Sequence, residues 1–282
     1  MDKTYRGRLA PSPTGFLHSG HVATFLRASE RAQKNSGILI YRNDDLDFTR
    51  AKLHFHKAAL DDLQWMGLQW QEGPDIGGPH GPYSQSERGS LYLHSFEQLR
   101  LSGLIYPCHC TRRELASALS APHANEEEAL YPGTCRPDKP LVFESNPDLN
   151  WRFRIAAPEA VTFKDGRLGE QFAIAGNSFG DFLIWRKDGV PSYQLACAVD
   201  DALMKITEVV RGEDLVTSTF RQILLLRALG YPIPAYFHCQ LVTDKSGKRL
   251  AKRDDSVAIR TLREQGYSAD VVRSQIREQL SI

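Results

Sequence analysis

The chain has 282 residues, of which 41% are apolar and 24% charged, and its formal net charge is +1. This composition is typical of a globular protein with a substantial core, and the near-zero charge excludes an overall electrostatic attraction to nucleic acid or membranes. No apolar run reaches the about 18 residues of a membrane span, and the N-terminus lacks the apolar segment of a signal peptide. We therefore expect a cytoplasmic protein with no membrane partner.

Strands and helices are predicted to alternate through the first third of the chain. A buried strand, YRGRLA (5–10), precedes a helix over 21–35, and ILIYRNDDLD (38–47) is a second strand whose end becomes acidic. Helices follow over 50–66 and 87–102, with a loop rich in glycine and proline between them. This order is typical of a parallel sheet with crossover helices.

The middle of the chain interrupts that alternation. Turn formers crowd residues 107–140, and short β-like runs within 151–188 indicate an inserted α+β subdomain. A strand in MKITEVVRGEDL (204–215) and a helix in STFRQILLLRALG (218–230) then resume the pattern, and two short helices are predicted within 256–280.

We therefore predict an α/β fold, a doubly wound parallel sheet whose ligands bind at the carboxyl ends of the strands. The expected boundaries are 1–105 and 191–242 for the two halves of the sheet domain, 106–190 for the insertion, and 243–282 for a basic loop and terminal helices.

The loop between the first strand and the first helix carries two histidines among prolines and glycines. His18 and His21 are three residues apart and would share one face at the start of the helix. Backbone N–H groups and the helix dipole favour anions there, so the pair predicts a phosphate site. The alternative is a surface turn followed by two merely polar histidines. A metal site is less favoured, because no carboxylate lies nearby in sequence.

A second candidate segment is TDKSGKRLAKRDDS (243–256), which precedes a predicted helix. Lysine there would act as a flexible point charge on the phosphates of a leaving group. An ordinary solvated basic loop is the alternative interpretation.

The two segments together resemble a known pair of signatures. APSPTGFLHSGH (10–21) and GKRLAKR (247–253) are similar to the HIGH and KMSKS motifs of class I aminoacyl-tRNA synthetases. RGRLAPSPTGFLH, YRNDDLD, YQLACAVDD and ITEVVRGEDL further resemble the glutamyl branch of that family. The resemblance runs in five ordered blocks from Arg8 to Lys252. It implies a Rossmann-like synthetase catalytic domain that binds ATP, Mg²⁺ and L-glutamate.

Only about 30 residues, 254–282, follow the KMSKS-like segment. The chain is therefore expected to lack an anticodon-binding domain and resembles the truncated glutamyl-Q tRNA(Asp) synthetases. The resemblance implies transfer of glutamate to queuosine in the anticodon loop of tRNA(Asp), by an enzyme expected to be a monomer. Three alternatives stay open: a minimal glutamyl-tRNA synthetase that charges a 3′ end, an HxGH nucleotidyltransferase without glutamate dependence, and a non-catalytic paralogue that binds RNA or a partner.

The resemblance assigns site residues position by position. It implies that His18, His21 and Lys252 are catalytic, that Pro11, His18, Gly20, His21, Arg249, Leu250 and Lys252 bind ATP, and that Arg8, Ser12, Asp44, Tyr193 and Arg211 bind glutamate. Arginine forks and a tyrosine hydroxyl suit a carboxylate. Two positions depart from the family: Asp44 stands where it carries a glutamate, and Ala251 removes a hydroxyl from the KMSKS-like loop. Asp200 and Asp201 are interpreted as structural acids near the site.

The cysteines favour a metal site over disulfides. Their number is odd, and Cys108, Cys110 and Cys135 offer three thiolates where structural zinc takes four tetrahedral ligands. Ligand chemistry alone nominates His123 as the fourth ligand, whereas the family resemblance points to Tyr131. A zinc ion there would be structural, stabilising an insertion with little core of its own. Three buried cysteines without a metal are the alternative.

Overall fold

The computed structural model describes residues 4–110, 130–146, 148–241 and 257–279. Strands β1 (Arg6–Leu9) and β2 (Ile38–Tyr41) pair in parallel and are joined by helix α1 (Ser19–Lys34). A Cβ at Gly37 would lie 2.5 Å from the carbonyl oxygen of Tyr5, so only glycine allows β2 to start so close to β1. The predicted strand–helix–strand unit is confirmed, although β2 is shorter than predicted.

Helices α2 (Leu53–Trp65) and α3 (Gly89–Leu101) confirm the next two predicted helices. The chain then forms an antiparallel sheet from β3 (Ile105–Cys108), β4 (Asn150–Phe153) and β7 (Phe182–Trp185). Between β4 and β7 lies a hairpin of β5 (Glu159–Asp165) and β6 (Gly169–Ala175). The predicted β-rich middle of the chain is thus confirmed.

The last part of the chain returns to alternating elements. Helix α4 (Tyr193–Leu203) precedes β8 (Glu208–Gly212), and helix α5 (Val216–Leu229) leads to β9 (Ala235–Cys239), which pairs in parallel with β8. Helices α6 (Ile259–Glu264) and α7 (Ala269–Gln279) are the two predicted terminal helices. Helix α4 and strand β9 were not predicted.

The strands do not form one doubly wound parallel sheet. The described strands fall into a parallel pair β1–β2, the antiparallel sheet β3–β4–β7, and a mixed sheet in the order β6–β5–β9–β8. Strand β1 lies beside β8: the amide of Thr207, the residue before β8, donates to the carbonyl of Arg6 in β1 at 2.9 Å. Further along, the carbonyl of Val210 accepts from the Arg8 guanidinium at 2.8 Å. At this point a side chain, and not the backbone of β1, makes the hydrogen bond to β8.

Two apolar clusters form the core of the described chain. One includes residues of β4 to β7 and of α3 to α5, and the other includes residues of β1, β2, α1 and the terminal helices. Within the described ranges, no helix combines the length and the apolar character that crossing a membrane requires.

Candidate functional site: a cavity lined by arginine and histidine, and a separate cysteine cluster

A cavity of about 440 Å³ opens beyond the carboxyl ends of the parallel strands. Residues that end or follow β1, β2, β8 and β9 all contribute to its wall, in agreement with the expected place of a ligand in an α/β fold. Nine of the predicted site residues line it: Arg8, Pro11, Ser12, His18, Gly20, His21, Asp44, Tyr193 and Arg211.

The remaining predicted residues of this site, Arg249, Leu250 and Lys252, lie outside the described residues. The described chain on both sides of that segment nevertheless flanks the cavity. Leu241 lines the cavity, and Ala258 forms an isolated antiparallel bridge with His18. The amide of Ile259 donates to the carbonyl of Leu17 at 2.8 Å. Of the described residues that precede and follow that segment, Leu241 therefore lies at the cavity wall and Ala258 lies beside the histidine loop.

The two histidines form a reciprocal cap at the start of α1. Nδ1 of His18 accepts from the amide of Gly20 at 3.2 Å, and Nδ1 of His21 accepts from the amide of His18 at 3.4 Å. Their ring centroids are 3.8 Å apart. Because Nδ1 is the acceptor in both rings, the neutral tautomer carries its proton on Nε2. Each ring then carries its proton on Nε2, and both residues line a wall of the cavity where helix N–H groups favour an anion.

Two buried arginines supply the cationic part of the wall. Arg211 donates from Nη1 to Gln222 at 2.8 Å, from Nη2 to Thr219 at 2.6 Å, and from Nε to His238 at 3.3 Å. Arg8 donates from Nε to Asp201 at 3.3 Å and from Nη1 to a backbone carbonyl. A guanidinium has five N–H donors. Within the described chain, three donors of Arg211 and two of Arg8 are engaged by these bonds.

A third arginine, Arg42, ties the acids of the site together. Its side chain is fully buried and binds Asp44 through Nε at 2.6 Å and Nη2 at 3.2 Å, while Nη1 donates to Asp201 at 2.7 Å. The neighbouring acid, Asp200, is also fully buried and accepts from Arg88 at 2.6 Å. Unpaired buried charges are costly, so these pairs hold the strand ends in place. The interpretation of Asp200 and Asp201 as structural acids agrees with this geometry.

The two acids bound to Arg42, Asp44 and Asp201, differ in their pKa values. Burial raises the pKa of Asp44 to about 6, against the opposing effect of Arg42. Burial also acts on Asp201, but the charges of Arg8 and Arg42 outweigh it and hold the pKa of that carboxyl below its ordinary value. Asp201 is therefore an anion near neutral pH, whereas Asp44 gains a proton in mild acid.

Tyr193 is the first residue of α4 and remains 41% exposed at the cavity. The preceding Ser192 caps the helix by accepting from the amide of Leu195 at 3.3 Å. The cap starts the helix at the point that brings the Tyr193 side chain to the wall of the cavity.

The cysteine cluster lies in the middle part of the chain. The sulfurs of Cys108, Cys110 and Cys135 all lie within 4.8 Å of one another, and those of Cys110 and Cys135 are 3.5 Å apart. The Tyr131 hydroxyl lies 3.5 Å from the sulfur of Cys108 and 3.6 Å from that of Cys110. His123 lies outside the described residues.

These separations suit a metal. With Zn–S bonds of about 2.3 Å, the edge of a tetrahedron of sulfurs is about 3.8 Å long, close to the observed spacing. Arg152 donates from Nε to the sulfur of Cys108 at 3.3 Å and stacks over the Tyr131 ring at 3.8 Å. A cation at this distance would offset the negative charge of thiolate ligands.

Sequence reasoning missed Arg42, Arg88 and His238. Arg42 follows an apolar strand directly and precedes two acids, and that pattern was a usable signal for a buried ion pair. His238 gave no such signal, because its partners Arg211 and Asp165 lie 27 and 73 residues away.

The comparisons with known proteins agree with this geometry. A family model described as tRNA synthetases class I (E and Q), catalytic domain, matches residues 4–279. The chain is similar to proteins named glutamyl-Q tRNA(Asp) synthetase from Symbiobacterium thermophilum (46% identity over 94% of this chain and 83% of that protein) and from Nitratidesulfovibrio vulgaris (45% over 94% and 82%). Among solved structures, the glutamate-tRNA synthetase of Elizabethkingia anophelis aligns with a TM-score of 0.77 and 30% identity, over 89% of this chain and 53% of that one.

Proposed function

Because the chain belongs to the class I tRNA synthetases (E and Q), we propose that it activates glutamate with ATP and transfers the glutamyl group to queuosine in the anticodon loop of tRNA(Asp). The observation that most supports this function is that one cavity brings together two buried arginines, an acid and a histidine pair at a helix N-terminus. The names of the two relatives support the choice of queuosine-bearing tRNA.

In this proposal Arg8, Arg211 and Tyr193 bind the side-chain carboxylate of glutamate. Ser12, in the loop between β1 and α1, also belongs to the glutamate site. Two guanidinium groups can bind a carboxylate through several charge-assisted hydrogen bonds. Asp44 faces the α-ammonium group. Its forked pairing with Arg42 and its short side chain favour contact with the ammonium through water.

Activation is a displacement at the α-phosphorus of ATP. An oxygen of the glutamate α-carboxylate forms the new P–O bond while the bond to pyrophosphate breaks, which gives glutamyl-adenylate. His18 and His21 donate from Nε2 to the phosphate oxygens, Pro11 and Gly20 allow close approach of the backbone, and Arg249, Leu250 and Lys252 complete the ATP site. Positioning and charge stabilisation supply most of the catalysis in such chemistry. Mg²⁺ supplies neutralising charge on the phosphates.

Transfer then requires a nucleoside hydroxyl at the adenylate carbonyl. The hydroxyl oxygen of queuosine bonds to the carbonyl carbon, the bond from that carbon to the AMP oxygen breaks, and the hydroxyl proton passes to the leaving phosphate or to water. Bases of single-stranded RNA loops can be splayed out into protein pockets, as this step requires.

The proposal includes a structural Zn²⁺ bound by Cys108, Cys110, Tyr131 and Cys135. The sulfur and oxygen spacings described above support this donor set. We also propose the division into 1–105, 106–190, 191–242 and 243–282, a monomeric state and a cytoplasmic location.

Transfer of labelled glutamate tests the proposal. The protein is incubated with ATP and Mg²⁺ and with tRNA(Asp) that contains or lacks queuosine, or with tRNA(Glu), and the labelled RNA is cut with nuclease. Label is expected only in the anticodon fragment of queuosine-containing tRNA(Asp).

A second candidate function is the charging of a tRNA 3′ end. The structural likeness to a glutamate-tRNA synthetase over 89% of the chain favours it. Label at the 3′ end of tRNA(Glu) would establish this function in place of the first. No label on any RNA would instead support a non-catalytic paralogue.

A further inference from the structure

A buried histidine lies beside Arg211 on the neighbouring strand. Arg211 on β8 stands directly opposite His238 on β9 in the parallel register. The side chain of His238 is completely buried. It is not among the residues that line the cavity. Its position raises the question of what it does for Arg211.

One side of the His238 ring is fixed by Asp165, the last residue of β5. Oδ2 of Asp165 lies 2.7 Å from Nδ1 of His238 and accepts from the His238 amide at 3.0 Å. Its Oδ1 accepts from the amides of Arg167 and Leu168, each at 2.9 Å. Burial opposes ionisation of Asp165, but these hydrogen bonds hold its pKa below the ordinary value. Asp165 is therefore an anion that accepts a hydrogen bond from Nδ1–H of His238.

The other side of the ring faces Arg211. With the proton on Nδ1, the neutral ring has an acceptor at Nε2, which lies 3.3 Å from Nε of Arg211 and 2.9 Å from the hydroxyl of Thr219. Burial and the charge of Arg211 lower the pKa of His238 to about 4. A protonated ring would lose this acceptor and bring two cations together.

We propose that His238 is a positioning residue for the glutamate pocket, because Asp165 holds it in the tautomer that accepts from Nε of Arg211. Together with Gln222 and Thr219, it fixes the plane of the guanidinium and so directs the remaining N–H donors at the carboxylate. This inference rests on the proposed function. It also gives the β5–β6 hairpin a part in amino-acid binding, although that hairpin lies in the middle, β-rich part of the chain.

The test separates the two sides of the ring with two substitutions. His238→Asn places an amide near the position of Nδ1 and keeps a donor for Asp165, but it offers Arg211 no acceptor. His238→Gln places its amide oxygen near the position of Nε2 and keeps that acceptor. Cys239→Ser is the matched control, since Cys239 is buried on the same strand and is not part of the cavity wall.

The assay is glutamate-dependent exchange of pyrophosphate into ATP, with KM measured for both substrates and folding checked by thermal unfolding. His238→Asn is expected to raise the KM for glutamate about 10- to 100-fold, the factor that corresponds to the loss of one hydrogen bond to a charged group. The KM for ATP is expected to change by less than about threefold, because Arg211 belongs to the glutamate site and not to the ATP site. His238→Gln and Cys239→Ser are expected to keep a KM for glutamate near that of the unchanged protein.

If His238→Asn does not fold, Asp165→Asn gives the second measurement, because it weakens the hold on the tautomer without altering the shape of the side chain. An unchanged KM for glutamate in folded His238→Asn, or in Asp165→Asn where His238→Asn does not fold, would overturn the inference, as would an equal rise in the KM values for glutamate and ATP. Absence of exchange in the unchanged protein would instead refute the proposed function itself.

Discussion

Substitution of His21 tests the histidine pair most directly, because the structure separates its two roles. Its Nδ1 caps α1 by accepting from the His18 amide at 3.4 Å, and in the proposed function its Nε2 donates to a phosphate oxygen. The cap bond is long, so we expect His21→Ala to lower the free energy of unfolding by about 1 kcal/mol at most. Loss of a transition-state donor should cost about 10²–10³-fold in the rate of adenylate formation.

Two further substitutions at this position separate the roles. His21→Asn can still accept from the His18 amide but offers no donor at Nε2, so it should restore stability and not activity. His21→Gln carries an amide N–H near the position of Nε2 and should recover part of the rate. His94→Ala on the exposed face of α3 is the control and should behave as the unchanged protein.

The assay is glutamate-dependent pyrophosphate exchange at saturating ATP and glutamate, with urea unfolding measured on the same samples. A rate for folded His21→Ala within about threefold of the unchanged protein would refute the phosphate role, since one lost donor predicts at least 10²-fold. Equal losses in His21→Asn and His21→Ala, with stability restored only in the former, would support it.

Three other predictions concern the metal, the pH dependence and the amino acid. Cys135→Ser is expected to release zinc, measured by atomic absorption, and to lower the unfolding temperature, whereas Cys239→Ser should keep its zinc; equal metal content in both would contradict the site. The KM for glutamate should rise as pH falls through about 6, because Asp44 is neutral below its raised pKa, and Asp44→Asn should abolish that rise; a persisting rise would show that another group titrates. Glutamine should support exchange with a kcat/KM at least about 10²-fold below that of glutamate, and a smaller ratio would count against a carboxylate site.

Much of the scaffold could be predicted because its signals are local. The periodicity around α1, α2 and α3 and the glycine at 37 mark elements whose ends depend on near neighbours in sequence. The loop that precedes α1 could be placed at the end of a strand for the same reason. The histidine spacing within it predicts a shared face, and the rings are 3.8 Å apart.

The missed elements had weak or contradictory local signals. Helix α4 contains YQLACAVDDAL, in which residues 195–201 are all buried, and a short run of this kind before two acids cannot be assigned to helix or strand from the sequence alone. Strand β9 follows two prolines and is only five residues long. The division into three sheets also has no local signal, because it depends on pairings between strands that are far apart in sequence, such as β4 with β7 and β5 with β9.

The expected preference for glutamate over glutamine follows from the donors in the cavity wall. Arg211 has only donors, and its guanidinium has no acceptor that could serve an amide NH₂. A glutamine side chain would present one acceptor and one donor, so its NH₂ group would face the N–H groups of Arg211 or leave one of them unsatisfied in a buried place. Rotation of the guanidinium could relieve this conflict, but the bonds to Gln222, Thr219 and His238 oppose rotation. The preference therefore depends on the neutral state of His238 as much as on the charge of Arg211. Weakening that support, as in His238→Asn, should narrow the ratio of kcat/KM for the two amino acids, whereas His238→Gln should preserve it.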